Sequence, residues 1–215
     1  MKYEEIKEFN PDVKAIMPEH QDFLDGFNAG DEFKSFNEFI SNEAFQYAEE
    51  GNGATYLVFN TIIDSKAGVE KEELMAYFTL AATAIPYTDR MRLEPEEAAE
   101  KGQEFDEKHC GIPALEIKMF AVDRTYQDLF YEFDGEKMPV AAWILRSIIS
   151  LAHNMMKEII GFKALFLHAV PTAIDFYKRN GFHNAEQYME PLYSVDDEFQ
   201  AMYLSFCEVH VNQEE

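Results

Sequence analysis

The sequence predicts a mixed α/β fold, an α+β mixture with a central mixed twisted sheet flanked by helices. Apolar runs of strand length alternate with helical patterns along the chain, which is typical of this class. The clearest run, Leu165–Leu167, is soon followed by Pro171, which cannot continue a central strand. A chain of 215 residues with 47% hydrophobic content is long enough to bury one core. We therefore expect a single domain over residues 1–215.

The first 83 residues predict one short strand, an amphipathic helix and two longer strands. Aromatic and aliphatic residues at three- and four-residue spacing indicate a helix that reaches about Glu50. Ser35 and Glu38 could form its capping box. The strands are expected at residues 13–17, 55–60 and 74–83, with a polar loop at 64–73. The apolar face of the helix consists of Phe33, Phe36, Phe39 and Ile40.

Residues 86–112 form a highly charged insert in this pattern. Pro95 is suited to the first turn of a helix, which we expect to reach about His109. We interpret the insert as a surface excursion over one end of the sheet, and a lid is one role it could have.

The strand Ala114–Val122 carries two charged residues, Glu116 and Lys118, on one face. Burying an unpaired charge is costly, so this face predicts either an internal ion pair or a water-filled cleft. In the first case the two residues are structural. In the second case Glu116 could act as a general base, directly or through water.

The C-terminal half predicts a long helix, a buried strand, a short helix and two antiparallel strands. The long helix should begin at Pro139 and end at Gly161. Thr172 could cap the short helix, and Asn180-Gly181 should end it with Phe182 folded back onto its last turn. The final strands are expected at residues 183–188 and 200–207. The buried stripe of the long helix should be Ile144, Ile148, Leu151, Met155 and Ile159.

The charge balance bears on the partners of this protein. The 41 acidic and 18 basic residues give a formal net charge of −23. Such a surface repels phosphate backbones and argues against nucleic-acid binding. It favours a cationic or amine-bearing substrate or a basic partner protein, or it only keeps the chain soluble. The sequence is also compatible with a homodimer.

Composition also bears on location and metal binding. No apolar stretch reaches the length of a membrane span, and the charged N-terminus does not resemble a signal peptide. We therefore expect a cytoplasmic protein that does not bind membranes. Cys110 and Cys207 lie far apart without metal-ligand spacing, so we expect neither a disulfide nor a metal site.

Ala173 and the segment Phe176–Phe182 resemble the A-x-x-F-Y-x-x-x-G-F signature of GNAT-type N-acetyltransferases. The resemblance implies the GNAT acyl-CoA N-acyltransferase fold and acetyl-CoA as a substrate, with a primary amine as acceptor. In that family the tyrosine lies beside the acetyl-CoA sulfur as general acid, a role that falls to Tyr177 here. The alternative is an ordinary aromatic residue that packs the helix on the sheet.

Further segments are similar to the toxin-type branch of that family. They are F-N-x-G at 27–30, T-Y at 55–56, Y-F-T-L at 77–80 and V-D-x-x-Y-Q at 122–127. The branch implies acetylation of charged tRNA and a small antitoxin partner, which the net charge opposes. The cofactor-binding residues implied by the resemblance are Phe120, Ala121, Val122, Gln127, Val140, Ala141, Ala142, Ala173 and Phe176.

The chain departs from the family in the connection that binds the pyrophosphate. Where relatives carry Gly-x-Gly, so that backbone N–H groups can approach the phosphates, this chain has Asp128, Leu129 and Phe130. A GNAT-fold binding or regulatory module without catalysis is therefore the alternative to an acetyltransferase of small-molecule or protein amines.

Overall fold

The structure, a computed structural model, describes residues 4–64, 69–133, 135–185 and 199–206. Within these ranges it forms ten β-strands and six α-helices. The strands are β1 (Glu4–Glu5), β2 (Pro11–Ala15), β3 (Ala54–Asp64), β4 (Val69–Arg92), β5 (Phe105–Val122), β6 (Leu129–Phe133), β7 (Glu136–Pro139), β8 (Ala164–Ala169), β9 (His183–Asn184) and β10 (Gln200–Ser205). The helices are α1 (Gln21–Asp25), α2 (Lys34–Glu38), α3 (Ala44–Glu49), α4 (Pro95–Lys101), α5 (Val140–Glu158) and α6 (Ile174–Arg179).

The strands form two sheets. Seven are hydrogen-bonded in the order β2-β3-β4-β5-β8-β10-β9, and three form a small sheet in the order β1-β6-β7. The β2-β3, β3-β4, β8-β10 and β9-β10 pairs are antiparallel, whereas β1 and β6 are parallel. The predicted mixed α/β class is confirmed.

The chain divides into two compact units. The first comprises Met1–Ala81 and Ile117–Ala152, and the second comprises Ala82–Glu116 and His153–Glu215. The strands β4 and β5 and the helix α5 each contribute residues to both units.

In the first unit, the predicted aromatic face packs around Tyr77. The ring of Phe27 meets that of Tyr77 edge-on at 5.2 Å, and the ring of Phe39 stacks on it at 6.1 Å. The Tyr77 hydroxyl donates a hydrogen bond to the carbonyl of Phe36 at 2.8 Å. This bond satisfies the polar end of a fully buried side chain, as a buried tyrosine requires.

The helical segment of this unit is less regular than predicted. A 3-10 turn at Asp31–Phe33 precedes α2, and a π-helical turn at Phe39–Glu43 separates α2 from α3. Ser35 lies inside α2, whose N-cap is Phe33 without a side-chain cap, so the predicted capping box is wrong. The 3-10 turn begins the helical backbone before Ser35 and leaves that residue no N-cap position.

The strands β3 and β4 form a hairpin that is longer than expected. Their ladder runs from the pair Ala54 and Leu80 to the pair Asp64 and Val69. The predicted loop at 64–73 is therefore wrong for residues 69–73, and residues 65–68 lie outside the described ranges. The charged residues of this end are compatible with a strand because backbone hydrogen bonds to a partner strand need no apolar face.

In the second unit, most of residues 86–112 are strand rather than a helical excursion. The strand β4 continues to Arg92, and β5 begins at Phe105. The helix α4 ends at Lys101, not near His109, because Gly102 adopts the left-handed conformation (φ 67°) and donates its N–H to the carbonyl of Ala98. A role of this insert as a lid stays a prediction.

The helix α5 begins at Val140, one residue later than expected, because Pro139 closes β7. Ile144 and Ile148 of its predicted stripe are fully buried. Ile159 is 76% exposed and lies after the helix end, so its predicted burial is wrong. No α-helix among the described residues is long and apolar enough to cross a membrane.

The C-terminal strands are shorter than predicted. The strand β9 comprises only His183–Asn184, and the rest of the expected strand from residue 186 to 188 lies outside the described ranges. The strand β10 ends at Ser205, and Cys207 also lies outside those ranges. Within the ladder of β8 and β10, Leu167 is opposite Met202 and His168 is opposite Ala201.

Candidate active site

The residues predicted for the active site occur in both units, and each unit is described by itself. Glu116, Ala173, Phe176 and Tyr177 belong to the second unit. Phe120–Val122, Gln127 and Val140–Ala142 belong to the first.

In the second unit, a sharp connection leads from β8 to Tyr177 on α6. Val170 is extended, as expected before a proline, and a 3-10 turn at Pro171–Ala173 leads directly into α6. Neither Val170 nor Ala173, the N-caps of these two helices, makes a side-chain cap bond, so the predicted cap at Thr172 is wrong. The Pro171 ring fixes its own φ angle at a helical value, and this starts the 3-10 turn without a side-chain cap.

The predicted end of α6 is confirmed in detail. Gly181 has a φ of 89° and donates its N–H to the carbonyl of Lys178 at 3.1 Å. The N–H of Phe182 donates to the carbonyl of Tyr177 at 3.1 Å. These two bonds form a Schellman motif, and the Phe182 ring packs against the Tyr177 ring at 5.5 Å. The motif fixes the backbone on the C-terminal side of Tyr177.

Tyr177 is well suited to hold a proton. Its side chain is only 8% exposed, and burial raises its pKa well above the ordinary value of 10. The structure records no hydrogen bond from its hydroxyl to any of the described residues. A buried phenol in this state is neutral at physiological pH and can donate its proton to a developing anion.

Ala173 and Phe176 flank Tyr177 along the chain. Ala173 closes the 3-10 turn, where its N–H donates to the carbonyl of Val170 at 2.9 Å. The half-buried ring of Phe176 meets the Tyr177 ring edge-on at 5.2 Å. Their predicted contact with acetyl-CoA stays a prediction.

Glu116 is buried in β5, and the structure pairs it with His168 of β8. The Glu116 Oε1 atom lies 3.4 Å from the His168 Nδ1 atom. The Glu116 side chain is 7% exposed and that of His168 is 30% exposed. This pairing was missed by sequence reasoning, which considered Lys118 as the partner. A signal was present, because both residues interrupt apolar runs of central strands.

In the first unit, β5 ends in Phe120–Val122, a segment predicted to bind the cofactor. Ala121 and Val122 are buried, and Phe120 is half-buried. The side-chain amide of Gln127 donates to the carbonyls of Val122 at 2.9 Å and Ala29 at 2.8 Å. Gln127 therefore holds the backbone around this segment in place.

The connection from β5 to α5 is a β-hairpin, in place of a glycine-rich loop. The strands β6 and β7 pair antiparallel, and Gly135 at their turn has a φ of 80°. The parallel strand β1 adds hydrogen bonds from the N–H of Glu4 to the carbonyl of Asp128 and from the N–H of Ile6 to the carbonyl of Phe130, both at 2.9 Å. The residues of β6 and β7, which begin at the position of the Gly-x-Gly loop, are therefore folded.

The first turn of α5 follows this hairpin immediately. Val140 and Ala142 are buried, and Ala141 is half-buried. The first-turn N–H groups of any α-helix lack intrahelical acceptors, and those of α5 could bind a phosphate. Lys137 is the only basic residue between Asp128 and Pro139 in the sequence. Its Nζ atom lies 3.6 Å from a Glu132 carboxylate oxygen and 4.8 Å from the centre of the Phe130 ring.

A pocket of about 530 Å³ lies beside the same hairpin, within the first unit. The Phe9 ring meets Trp143 edge-on at 5.0 Å and Tyr131 at 4.8 Å. The pocket is lined by Phe9, Pro11, Tyr131, Glu136, Met138, Trp143, Arg146, Ser147 and Ser150.

Among the described residues, no group of three or more His, Cys, Asp or Glu side chains is arranged to hold a metal ion.

The fold of this chain is similar to that of solved structures that include bacterial toxins. A tyrosine-to-phenylalanine mutant of KacT is 15% identical, with a TM-score of 0.58 over 91% of this chain and 94% of that one. A similar mutant of the AtaT toxin, bound to the C-terminus of the antitoxin AtaR and to acetyl-CoA, is 15% identical, with a TM-score of 0.56 over 91% of this chain and 92% of that one.

A third structure, AtaT complexed with acetyl-methionyl-tRNA, is 16% identical, with a TM-score of 0.56 over 91% of this chain and 95% of that one. The sequence matches no family model and no curated protein. At these identities the likeness establishes the fold. The predicted GNAT fold, with its nearest resemblance to the toxin-type branch, is confirmed at that level.

Proposed function

We propose that this protein is an N-acetyltransferase that transfers acetyl from acetyl-CoA to a primary amine by direct attack. The observation that carries this proposal is Tyr177, which occupies the position of the signature tyrosine in a GNAT fold. It is buried and neutral, and its hydroxyl has no recorded hydrogen bond to the described residues. An ordinary packing tyrosine would be expected to satisfy its hydroxyl within the protein.

In the proposed reaction, the neutral amine attacks the thioester carbonyl and forms a C–N bond. The tetrahedral intermediate collapses with cleavage of the C–S bond. The departing thiolate takes a proton from the Tyr177 hydroxyl and leaves as CoA thiol. The proton lost by the amine nitrogen returns to solvent, and Tyr177 regains a proton, so the products are an amide and CoA.

The proposal assigns the cofactor to residues that the GNAT resemblance indicates. The backbone of Phe120–Val122 would bind the pantetheine, and the first turn of α5 at Val140–Ala142 would bind the pyrophosphate. Gln127 would support the first of these segments through its two bonds to backbone carbonyls. In the second unit, Ala173 and Phe176 would contact the acetyl-CoA, as the resemblance implies.

Calorimetric titration with acetyl-CoA tests the binding step. Micromolar affinity is expected for the enzyme. The fluorescence of Trp143, the only tryptophan and the fourth residue of α5, offers a second readout of binding. Absence of binding at millimolar acetyl-CoA would leave the alternative, a GNAT-fold binding or regulatory module that the folded hairpin before α5 favours.

Tyr177→Phe tests the chemical step. The variant should lower kcat on the order of 10²-fold or more while leaving acetyl-CoA affinity nearly unchanged, because a general acid acts in the transition state. Tyr56→Phe, which removes the hydroxyl of a tyrosine on β3 outside the assigned site, is the matched control. Equal losses of turnover and affinity in Tyr177→Phe would show that Tyr177 is not the general acid.

Acetylation of a charged tRNA is a second candidate function, because a protein of the same fold is complexed with acetyl-methionyl-tRNA. The formal net charge of −23 opposes it, since phosphate binding requires clustered Lys and Arg. A gel shift with methionyl-tRNA at 50 and 200 mM salt decides between the two acceptor classes. A salt-sensitive complex would favour tRNA, and no complex would favour a small-molecule or protein amine.

A further inference from the structure

The buried carboxylate of Glu116 lies next to the imidazole of His168. Its Oε1 atom is 3.4 Å from the His168 Nδ1 atom, and its side chain is only 7% exposed. The His168 side chain is 30% exposed, more than four times as much. An acceptor that enters from solvent can therefore reach the imidazole more easily than the carboxylate.

The position of the carboxylate also selects the form of the imidazole. A carboxylate beside Nδ1 favours the proton on that nitrogen and leaves a lone pair on Nε2. The Phe166 ring meets the imidazole edge-on at 4.9 Å and restricts its rotation. The imidazole therefore has a carboxylate oxygen 3.4 Å from Nδ1, which leaves Nε2 as the nitrogen with a lone pair that can accept a proton.

On the two strands beside β8, the described neighbours of His168 include one recorded ionisable partner. It is opposite Ala201 on β10, and the residues beside Ala201 on that strand, Gln200 and Met202, cannot ionise. From β5, the ionisable side chain recorded against His168 is Glu116. Glu116 is thus the charged group that acts most directly on the imidazole.

We propose that His168 accepts the proton that the acceptor ammonium must lose before attack, and that Glu116 is the positioning residue that orients it. This inference rests on the proposed function and replaces the direct general-base role considered for Glu116. The N–H bond of the ammonium breaks, an N–H bond forms at His168 Nε2, and the amine lone pair becomes available to attack. The imidazolium then returns its proton to solvent.

Kinetics with two nucleophiles test the role of His168. Spermidine is largely protonated at pH 7 and needs a base, whereas hydroxylamine is largely neutral and does not. His168→Gln should lower kcat with spermidine on the order of 10²- to 10⁴-fold while changing turnover of hydroxylamine less than threefold. His183→Gln, on β9 of the same unit, is the control and should change neither.

The NMR spectrum tests the role of Glu116. Glu116→Gln should reduce spermidine turnover and change the tautomer of His168, whereas a merely structural residue would leave the tautomer in place. Imidazole nitrogen spectra of the wild-type chain should show the proton on Nδ1 of His168, and Glu116→Gln should shift the tautomer toward Nε2. These spectra need no acceptor and also show whether the variant is folded.

The outcomes separate the two proposals. Wild-type turnover that persists in His168→Gln with both nucleophiles would overturn the role of His168 and leave the acetyltransferase standing. Equal losses with both nucleophiles would also overturn it, because a base is not needed for hydroxylamine. No turnover of either nucleophile by the wild-type chain would count against the proposed function itself, and the role of His168 would fall with it.

Discussion

The backbone N–H of Asn28 donates a hydrogen bond to the Oδ2 atom of Asp123 at 2.9 Å, across 95 residues of sequence. The other carboxylate oxygen of Asp123 accepts bonds from the N–H and the hydroxyl of Thr125, at 2.9 and 2.7 Å. The N–H of Arg124 returns a bond to the Asn28 carbonyl at 2.8 Å. This contact ties the F-N-x-G turn to the end of β5.

Asp123→Ala should therefore destabilise the protein by about 1 to 2 kcal/mol, because it removes the buried carboxylate that accepts three hydrogen bonds from the half-buried Asn28 and the exposed Thr125. Urea denaturation measures the free energy of unfolding. Asp128→Ala, which removes an exposed carboxylate, should change it by less than about 0.5 kcal/mol. A loss in Asp123→Ala no larger than in this control would show that the network contributes little.

Gly181→Ala should cost about 1 to 2 kcal/mol of folding free energy. The φ of 89° is strained for any residue with a Cβ, and an added Cβ would lie 3.4 Å from Leu204 Cδ1. Gly161→Ala is the matched control, since no atom lies within 4 Å of the Cβ it would carry. Thermal melts of both variants test this, and equal melting temperatures would contradict the left-handed assignment at 181.

Tyr177→Phe should alter the alkaline limb of stability. Burial raises the pKa of Tyr177 above 10, so between pH 10 and its folded pKa the native state binds more protons than the unfolded state. Stability therefore falls as pH rises through this window, by up to about 1.4 kcal/mol per pH unit for one such group. The variant should lose less stability than the wild type between pH 10 and 11.5.

Tyr77→Phe is the companion variant for this test. Burial also raises the pKa of Tyr77, so Tyr77→Phe should likewise lose less stability than the wild type as pH rises above 10. Its hydroxyl bonds to the Phe36 carbonyl, so this variant should also lose about 1 kcal/mol at pH 7. Tyr177→Phe should lose almost nothing at pH 7, and a comparable loss there would reveal a hydrogen bond from the Tyr177 hydroxyl.

Glu73→Gln should destabilise the protein at pH 7 but not at pH 2 to 3. Hydrogen bonds from Lys71 at 2.6 Å and then from Tyr126 at 2.7 Å lower the pKa of Glu73 below 4.5. A lowered folded pKa gives stability that is present above 4.5 and is lost as pH falls through the folded pKa. Denaturation midpoints of variant and wild type should converge in acid, and a constant difference would contradict this assignment.

The sequence predicted the strand β8 and the C-terminal end of α6 well, because local chemistry decides both. The Schellman end of α6 follows from Asn180-Gly181-Phe182 alone, and the buried strand β8 follows from its uninterrupted apolar residues. Both signals act within a few residues of the chain. They are read correctly because no distant partner changes them.

The hairpins were missed because their stability comes from partner strands that a linear pattern does not reveal. The charged residues 69–73 resemble a loop, yet β3 supplies their backbone bonds. The segment after Asp128 lacks the expected glycines because it is a strand pair joined to β1. The contact of Glu116 with His168 likewise depends on the alignment of β5 beside β8, which two apolar runs do not specify.

The pairing of β1 with β6 has a practical consequence for work on this protein. Residues 4–6 and residues 128–130 are distant in sequence but share backbone hydrogen bonds. A deletion or a bulky fusion near residue 4 would therefore disturb the hairpin that leads into α5. Affinity tags are therefore better placed after residue 206, where they leave this small sheet intact. If the proposed acetyl-CoA binding is lost after N-terminal trimming, the loss would report on the hairpin.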